Sequence, residues 1–196
     1  MANNCENTTI YDSLRFCPGD TVLPGVRKCT YYSPKSAIAS WPTLPKTSDS
    51  MKQLAIYQGS FVMAADAVFK RIDLTLNKGR ITYETQGEKP SRTFLNKGVF
   101  NHPYNNEEAA GFARQAVADD FVFVTQQRDG KWRVLGSEMF ETDVKVGGDT
   151  GEGTTGEVGT TIDVDATDEC PAPFYVGTLV TDDGEIDCSG KPVAGE

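Results

Sequence analysis

Histidine is nearly absent from this chain, since His102 is the only one in 196 residues. A catalytic histidine works beside a nucleophile and an orienting carboxylate, and the neighbouring residues, Asn-His-Pro-Tyr, supply neither. No Cys-x-x-Cys pair is present, although most zinc sites use one together with histidine. The sequence therefore predicts no catalytic residue, no metal ligand and no cofactor, and His102 is expected in a turn or at the surface.

Long apolar runs are also missing, and none approaches the roughly 20 residues that a membrane-spanning helix needs. The first seven residues, MANNCEN, have neither the basic start nor the apolar stretch of a secretory signal. The five cysteines are an odd number for a disulfide framework: Cys5, Cys17 and Cys29 are evenly spaced, with Cys170 and Cys188 far away. We expect free or partly buried thiols in a protein that is made in a cytosol and has no membrane partner.

Basic residues are scarce in the last fifty positions, where twelve Asp and Glu accompany one Lys. The formal net charge of that segment is −11, whereas that of residues 1–146 is +2. The net charge of −9 therefore comes from the last fifty residues. This segment contains the Gly/Thr-rich run 147–156, which predicts a flexible loop or hairpin tip within about 147–170. The candidate acidic surface consists of the carboxylates in and after this run: Asp149, Glu152, Glu157, Asp163, Asp165, Asp168 and Glu169.

The acidic segment excludes two kinds of anion site and leaves two interpretations open. Its glycines lack the lysine that accompanies a phosphate loop, and a nucleic-acid interface needs Lys or Arg to replace counterions. Asp163 and Asp165 alternate on a strand and so share one face, and together with Asp168 and Glu169 they form a candidate set of Ca²⁺ ligands. The usual calcium-loop pattern is absent, however, and a solvated acidic face is the favoured interpretation.

Five prolines lie within residues 1–50, and each removes a backbone donor and disfavours helix. We predict an extended arm over 1–50, followed by one β-domain over 51–196. Tyr31, Tyr32 and Trp41 indicate that this arm packs on something, since a disordered tail rarely carries such residues. Two alternatives stay open: the arm contacts a neighbouring subunit through these three residues, or it wraps its own domain.

Residues 51–100 alternate β-branched and aromatic residues with turn signals. Asn77-Lys78-Gly79 and Asn96-Lys97-Gly98 are each interpreted as the turn of a hairpin, because Asn and Gly tolerate positive φ. Asp129-Gly130 predicts a third hairpin with a type I′ turn. The four apolar residues at 121–124 indicate a strand that is buried on both faces.

One helix is predicted at about 105–118. Asn105 and Glu108 resemble a capping box, and apolar residues recur at helical spacing from Ala109 to Val117. With eight or nine strands and this single flanking helix, the fold class is mainly β: a β-sandwich or barrel with extended loops.

The region around the acidic segment contains the strand 139–146, the strand 160–165 after the Gly/Thr run, and the sequence CPAPFY at 170–175. Together these three segments resemble tail tube proteins of tailed bacteriophages of Bacteroidetes hosts. The resemblance covers about residues 120–180. It implies six copies in a ring, rings stacked into a tube, and an acidic lumen through which DNA passes without specific binding.

The resemblance also sets the expected partners and location. Copies of the same chain and other virion proteins would be the partners, and the protein would reside in the virion after assembly in the bacterial cytoplasm. Two alternatives remain: a capsid decoration or head-to-tail connector protein, which binds a preformed lattice, and a carbohydrate-binding β-sandwich that uses Trp41, Trp132 and tyrosines. Aromatic residues more often pack in a core or interface.

Overall fold

The computed structural model describes residues 11–189, of which the strands form the largest part. Strands account for 44% and helical residues for 9% of the described residues, so the predicted mainly-β class with one α-helix is confirmed. The strands are β1 Val26–Pro34, β2 Ile38–Ser40, β3 Ile56–Tyr57, β4 Val62–Met63, β5 Lys70–Asp73, β6 Arg80–Gln86, β7 Thr93–His102, β8 Phe121–Gln127, β9 Trp132–Leu135, β10 Thr142–Asp149, β11 Gly159–Asp168, β12 Phe174–Tyr175, β13 Thr178–Thr181 and β14 Gly184–Asp187; α1 is Glu107–Ala116. Several of these strands are only two or three residues long, which is why they outnumber the eight or nine predicted.

The larger sheet has six strands in the order β3-β12-β9-β8-β1-β5. β8 lies inside it, and residues 121–126 are all buried, as the apolar run predicts. Phe121 and Phe123 face one core while Val122 and Val124 face another, because successive side chains of a strand point to opposite faces. This sheet is therefore covered on both sides.

The second sheet, β10-β11-β7-β6, packs against the first to form a β-sandwich, and the sheets do not close into a barrel. Phe100, Ile162 and Val164 fill the space between the sheets together with Phe121 and Phe123. α1 packs beside β10 and inserts Phe112 against Phe121. The other face of the six-stranded sheet is covered by the two-stranded ribbons β13-β14 and β2-β4 and by the loops around them.

The residue that caps the helix lies one position later than predicted. The Asn106 side chain, not that of Asn105, accepts a hydrogen bond from the Ala109 N–H at 3.0 Å. Glu107 and Glu108 occupy the first turn, where negative charge is favourable. The predicted helix is thus confirmed.

Two predicted hairpins are wrong. Asn77 does adopt positive φ, but the turn 77–79 carries the chain from β5 in one sheet to β6 in the other. Asn96-Lys97-Gly98 lies inside the ten-residue strand β7. A Cβ on Gly98 would come 2.5 Å from Cδ1 of Leu135, so this glycine permits close packing of the sheets rather than a turn.

The hairpin at Asp129-Gly130 is present between β8 and β9, but its turn is not type I′. That type needs positive φ at both central residues, and only Gly130 has it. The Gly130 N–H donates to the Gln127 carbonyl, and the Gln127 N–H donates to the Lys131 carbonyl. This is a type I turn followed by a glycine bulge.

The predicted boundary at residue 50 lies too late in the chain. β1 is an inner strand that pairs with both β5 and β8, so residues 26–34 belong to the sandwich and not to a separate arm. The prolines that suggested an arm flank this strand or end it at Pro34. Within the predicted arm, residues 11–25 have no strand or helix, and residues 41–50 have only an isolated bridge at Thr43; residues 1–10 lie outside the described part of the chain.

Candidate assembly surface

The three aromatic residues predicted to contact a neighbouring subunit pack within their own chain. Tyr31 is buried with its ring 5.9 Å from that of Trp132, and the Tyr32 ring lies 5.0 Å from that of Phe112. Trp41 is half-buried, with its ring 5.3 Å from that of Phe61. Their positions agree with the alternative in which the arm packs on its own domain, because β1 places both tyrosines in the sandwich. Trp132 is 2% exposed and offers no stacking platform.

Residues 11–25, here called the N-terminal segment, instead carry the exposed apolar side chains. Tyr11, Leu14, Phe16, Val22 and Leu23 are between 48% and 91% exposed. Isolated exposed apolar residues are common, but five within thirteen positions form a patch of the kind that marks interaction sites. Nothing in the residue pattern separated this segment from β1, because prolines lie on both sides of their junction at Gly25, at Pro18, Pro24 and Pro34.

The backbone of the N-terminal segment is nearly unpaired within residues 11–189. Its hydrogen bonds there are a turn from the Asp20 N–H to the Cys17 carbonyl and, at its end, a bond from the Arg128 N–H to the Gly25 carbonyl. One side chain, Asp12, accepts from the Met51 N–H at 3.3 Å. The segment therefore has exposed side chains and free backbone groups at the same residues.

The outward side of β6, here called the β6 edge, is an uncovered strand edge. β6 pairs only with β7, in continuous register from Arg80 to Gln86. At the opposite side of the same sheet, α1 packs beside β10. About half of the seven residues of β6 therefore present unpaired backbone donors and acceptors on the outward side.

The predicted acidic hairpin is present: β10 and β11 pair from Thr142 opposite Ala166 to Asp149 opposite Gly159, with the Gly/Thr-rich tip at 150–158. Asp163 and Asp165 lie on the outward face of β11, as their alternation predicts. That face also carries bases. Lys145 lies 2.8 Å from Asp143 and 3.5 Å from Asp165, and its hydrogen bond to Asp143 raises its pKa.

Other acids of the last fifty residues also pair with bases from the first 146. Glu157 pairs with Lys78, Asp182 with Lys70 at 3.8 Å, and Asp183 with Arg71 at 3.4 Å. The charge imbalance along the sequence is thus partly neutralised in the fold. The predicted acidic residues that form no ion pair within residues 11–189 are Asp149, Glu152, Asp163, Asp168 and Glu169.

Asp168 does not belong to the outward acidic face, contrary to the prediction. It is 3% exposed, shares the inward face of β11 with Val164 and Ala166, and accepts a hydrogen bond from the Tyr57 hydroxyl at 3.3 Å. Burial raises its pKa from 3.8 to about 6, even though the Glu169 N–H also donates to it. It is therefore separated from Asp163 and Asp165, and the suggested calcium grouping does not form.

The raised pKa of Asp168 predicts a pH dependence of stability. A folded-state pKa above the ordinary value means that the folded chain binds the proton more tightly, so unfolding free energy should fall as pH rises from about 4 to about 6. The loss attributable to this group is on the order of 3 kcal/mol. Urea unfolding at pH 4.5 and 7.5 should show most of this loss in the wild type and not in Asp168→Asn, since the unfolded carboxyl is already partly ionised at pH 4.5. Asp163→Asn, an exposed carboxylate of the same strand, controls for the lost charge; equal profiles in all three proteins would refute the assignment.

His102 lies at a cleft of 320 Å³ between α1 and β5. Its Nδ1 is 2.8 Å from the Asp73 carbonyl oxygen, and its ring contacts Tyr104. Arg71 at the same cleft already pairs with Asp73 and Asp183. The imidazole is thus held by backbone and aromatic contacts, and His102 is the half-buried last residue of β7 rather than part of a turn.

Among residues 11–189, no three His, Cys, Asp or Glu side chains are grouped so as to hold a metal ion. In the same range, no helix has the length and apolar character needed to cross a membrane. Neither a protein family, nor a curated protein, nor a solved structure gives a significant match to the chain. The geometry of the N-terminal segment and the β6 edge is therefore the main guide to function.

Proposed function

We propose that this chain is a virion structural protein that assembles with copies of itself into rings, six to a ring, which stack as a phage tail tube. The observation that carries the proposal is the N-terminal segment, with five exposed apolar side chains and an almost unpaired backbone. Covering one Leu or Phe side chain contributes about 1.5–3 kcal/mol. A chain with such a segment gains stability when a partner covers it, and a β-sandwich with an open edge offers a surface for that partner.

The acidic hairpin supports the same proposal in a narrower form than the sequence suggested. Within a tube, the exposed and unpaired carboxylates Asp149, Glu152, Asp163 and Glu169 are the ones that would face DNA. Asp165 and Glu157 are paired with lysines, and Asp168 is buried. An acidic lumen repels the phosphate backbone and so lets DNA slide without being held. Other virion proteins would bind at the tube ends.

Self-assembly is tested by light scattering over a range of protein concentrations and by negative-stain electron microscopy. The wild type should form concentration-dependent oligomers and rings or tubes, whereas Leu14→Asp/Phe16→Asp should stay monomeric because charged side chains cannot be buried in an apolar contact. Val117→Asp is the matched control, since Val117 is 88% exposed at the end of α1. A wild-type monomer at high concentration, without rings or tubes, would overturn the proposal.

The same purified protein can be used to distinguish a tail tube protein from a capsid decoration or connector protein. Such a protein would remain monomeric alone and sediment with empty capsids, whereas a tube protein polymerises without them. Assembly of the double Asp variant to the same extent as the wild type would leave self-assembly in place but remove the N-terminal segment as its cause.

A further inference from the structure

The β6 edge lacks most of the features that prevent strand edges from pairing with other chains. Natural edges are protected by proline, by charged side chains and lysine above all, by bulges or by very short length. β6 has the sequence RITYETQ, without proline or lysine, and it pairs with β7 over seven residues without a register shift. Its two charged residues are Arg80 at its start and Glu84, which is paired with Lys97. A weakly protected edge of this length is either an aggregation hazard or an interface.

The core beneath the β6 edge is also incompletely covered. Ile81 packs against the core cluster between the sheets, and Tyr83, two residues on and therefore on the same face, is 55% exposed. Thr82 and Glu84 point to the other face, where Glu84 pairs with Lys97. A further strand at this edge would find apolar surface on its inner side and polar partners on its outer side.

The N-terminal segment has a matching pattern. In an extended conformation Leu14 and Phe16 share one face, while Arg15 points to the other. We propose that residues 11–16 of one copy add to the β6 edge of a second copy as an antiparallel strand, with Leu14 opposite Tyr83, Arg15 opposite Thr82 and Phe16 opposite Ile81. This inference rests on the proposed self-assembly and names the two surfaces that contact each other in it.

Antiparallel pairing follows the sheet that the strand would join, because all three strand pairs in β10-β11-β7-β6 are antiparallel. Arg15 then lies diagonally beside Glu84, so opposite charges meet on the outer face. Backbone hydrogen bonds supply affinity in this mode of recognition, and alternate side chains supply specificity.

The geometry of the segment agrees with a contact between copies. Asp12 lies beside Met51, in the loop before β3, so the segment is not paired with its own β6. Eight residues, 17–24, join Phe16 to the root at Gly25 and can span up to about 28 Å. A segment given by one copy and an edge offered by the next form a head-to-tail contact, which repeats and can close into a ring.

Complementation between two full-length variants tests the contact. Tyr83→Lys places a charge on the inner face of the edge and should block its use as an acceptor, while leaving the N-terminal segment intact. Leu14→Asp/Phe16→Asp removes the donor and leaves the edge. Each variant alone should be monomeric, and an equimolar mixture should give a 1:1 dimer that grows no further, because only one donor and one acceptor remain.

Tyr104→Lys is the control for the edge variant, since Tyr104 is also mostly exposed but lies outside β6. It should assemble as the wild type does. Wild-type assembly by Tyr83→Lys, or a mixture that stays monomeric, would overturn the β6 pairing while self-assembly stands. A monomeric wild type would instead reject the proposed function itself.

A disulfide pair gives an independent readout that does not depend on blocking assembly. In a Cys17→Ser background, Arg15→Cys with Thr82→Cys should form intermolecular links on mild oxidation, visible as a ladder on a non-reducing gel. Arg15→Cys with Thr161→Cys, on the outward face of β11, should give no ladder above the background of either single variant. Equal ladders from both pairs would contradict the register.

Discussion

Replacing Phe123 with alanine is expected to lower the free energy of unfolding by about 3–5 kcal/mol. Phe123 is completely buried in the middle strand of the six-stranded sheet. Its ring contacts those of Tyr32, Phe100 and Phe121, so it joins β1, β7 and β8 across the space between the sheets. Because three elements meet at this ring, the cavity left by alanine cannot easily collapse.

Urea unfolding followed by tryptophan fluorescence measures this loss, since Trp132 lies in the neighbouring strand β9. Phe16→Ala is the matched control, because that side chain is mostly exposed; measured at concentrations where the protein is monomeric, it should change stability by less than about 0.5 kcal/mol. A loss below 1 kcal/mol for Phe123→Ala would mean that the two sheets are not packed around this residue.

The elements that the sequence predicted well are those whose signal is local. The apolar run at 121–124 alternates Phe and Val and so favours a strand buried on both faces. The Asn, Glu and alanine pattern after residue 105 predicts a capped helix. The alternation of Asp163 and Asp165 likewise placed both carboxylates on one face. In each case the residues that carry the signal are neighbours along the chain.

The wrong predictions arise where the same local sequence pattern can occupy two different positions in the tertiary structure. Asn-Lys-Gly at 77–79 and at 96–98 is the same tripeptide, yet one turns between sheets and the other lies within β7, because Gly98 must give way to Leu135 of the facing sheet. The inner position of β1 depends on partners 40 to 100 residues away. No pattern inside residues 26–34 specifies them.

The candidate site shows the same difference between local signals, which the sequence reveals, and long-range contacts, which it does not. The sequence gives the sign of the charge in the last fifty residues, but not the lysines from earlier segments that lie beside Asp165 and Glu157. Asp168 was predictable in principle: it has the same parity as Ile162 and Val164, so continued alternation places it on the core face. The exposure of the N-terminal segment had no such signal, because it depends on what the rest of the fold leaves uncovered.

Those uncovered surfaces can act as an interface only if the sandwich beside them is rigid. β6 is attached to the molecule through β7, and β7 is fixed both by β11 and by a buried side chain, Asn96. The Asn96 Nδ2 donates to the Cys170 carbonyl at 3.0 Å, and its Oδ1 accepts from the Ala172 N–H at 2.8 Å. Arg133 holds the same loop from the other side through the Ala172 carbonyl at 2.7 Å.

Asn96→Ala is therefore expected to cost about 2–5 kcal/mol of unfolding free energy, because it leaves a buried carbonyl and a buried N–H without partners, at about 1–3 kcal/mol each. Asn101→Ala is the matched control: it lies on the same strand but bonds only the Thr161 hydroxyl at 3.2 Å and is half-buried, so it should cost under about 1.5 kcal/mol. Urea unfolding and hydrogen exchange of the Ala172 amide measure both effects. If the amide stays protected and the two variants are equally stable, Asn96 does not fix this loop, and the rigidity of β7 must come from sheet pairing alone.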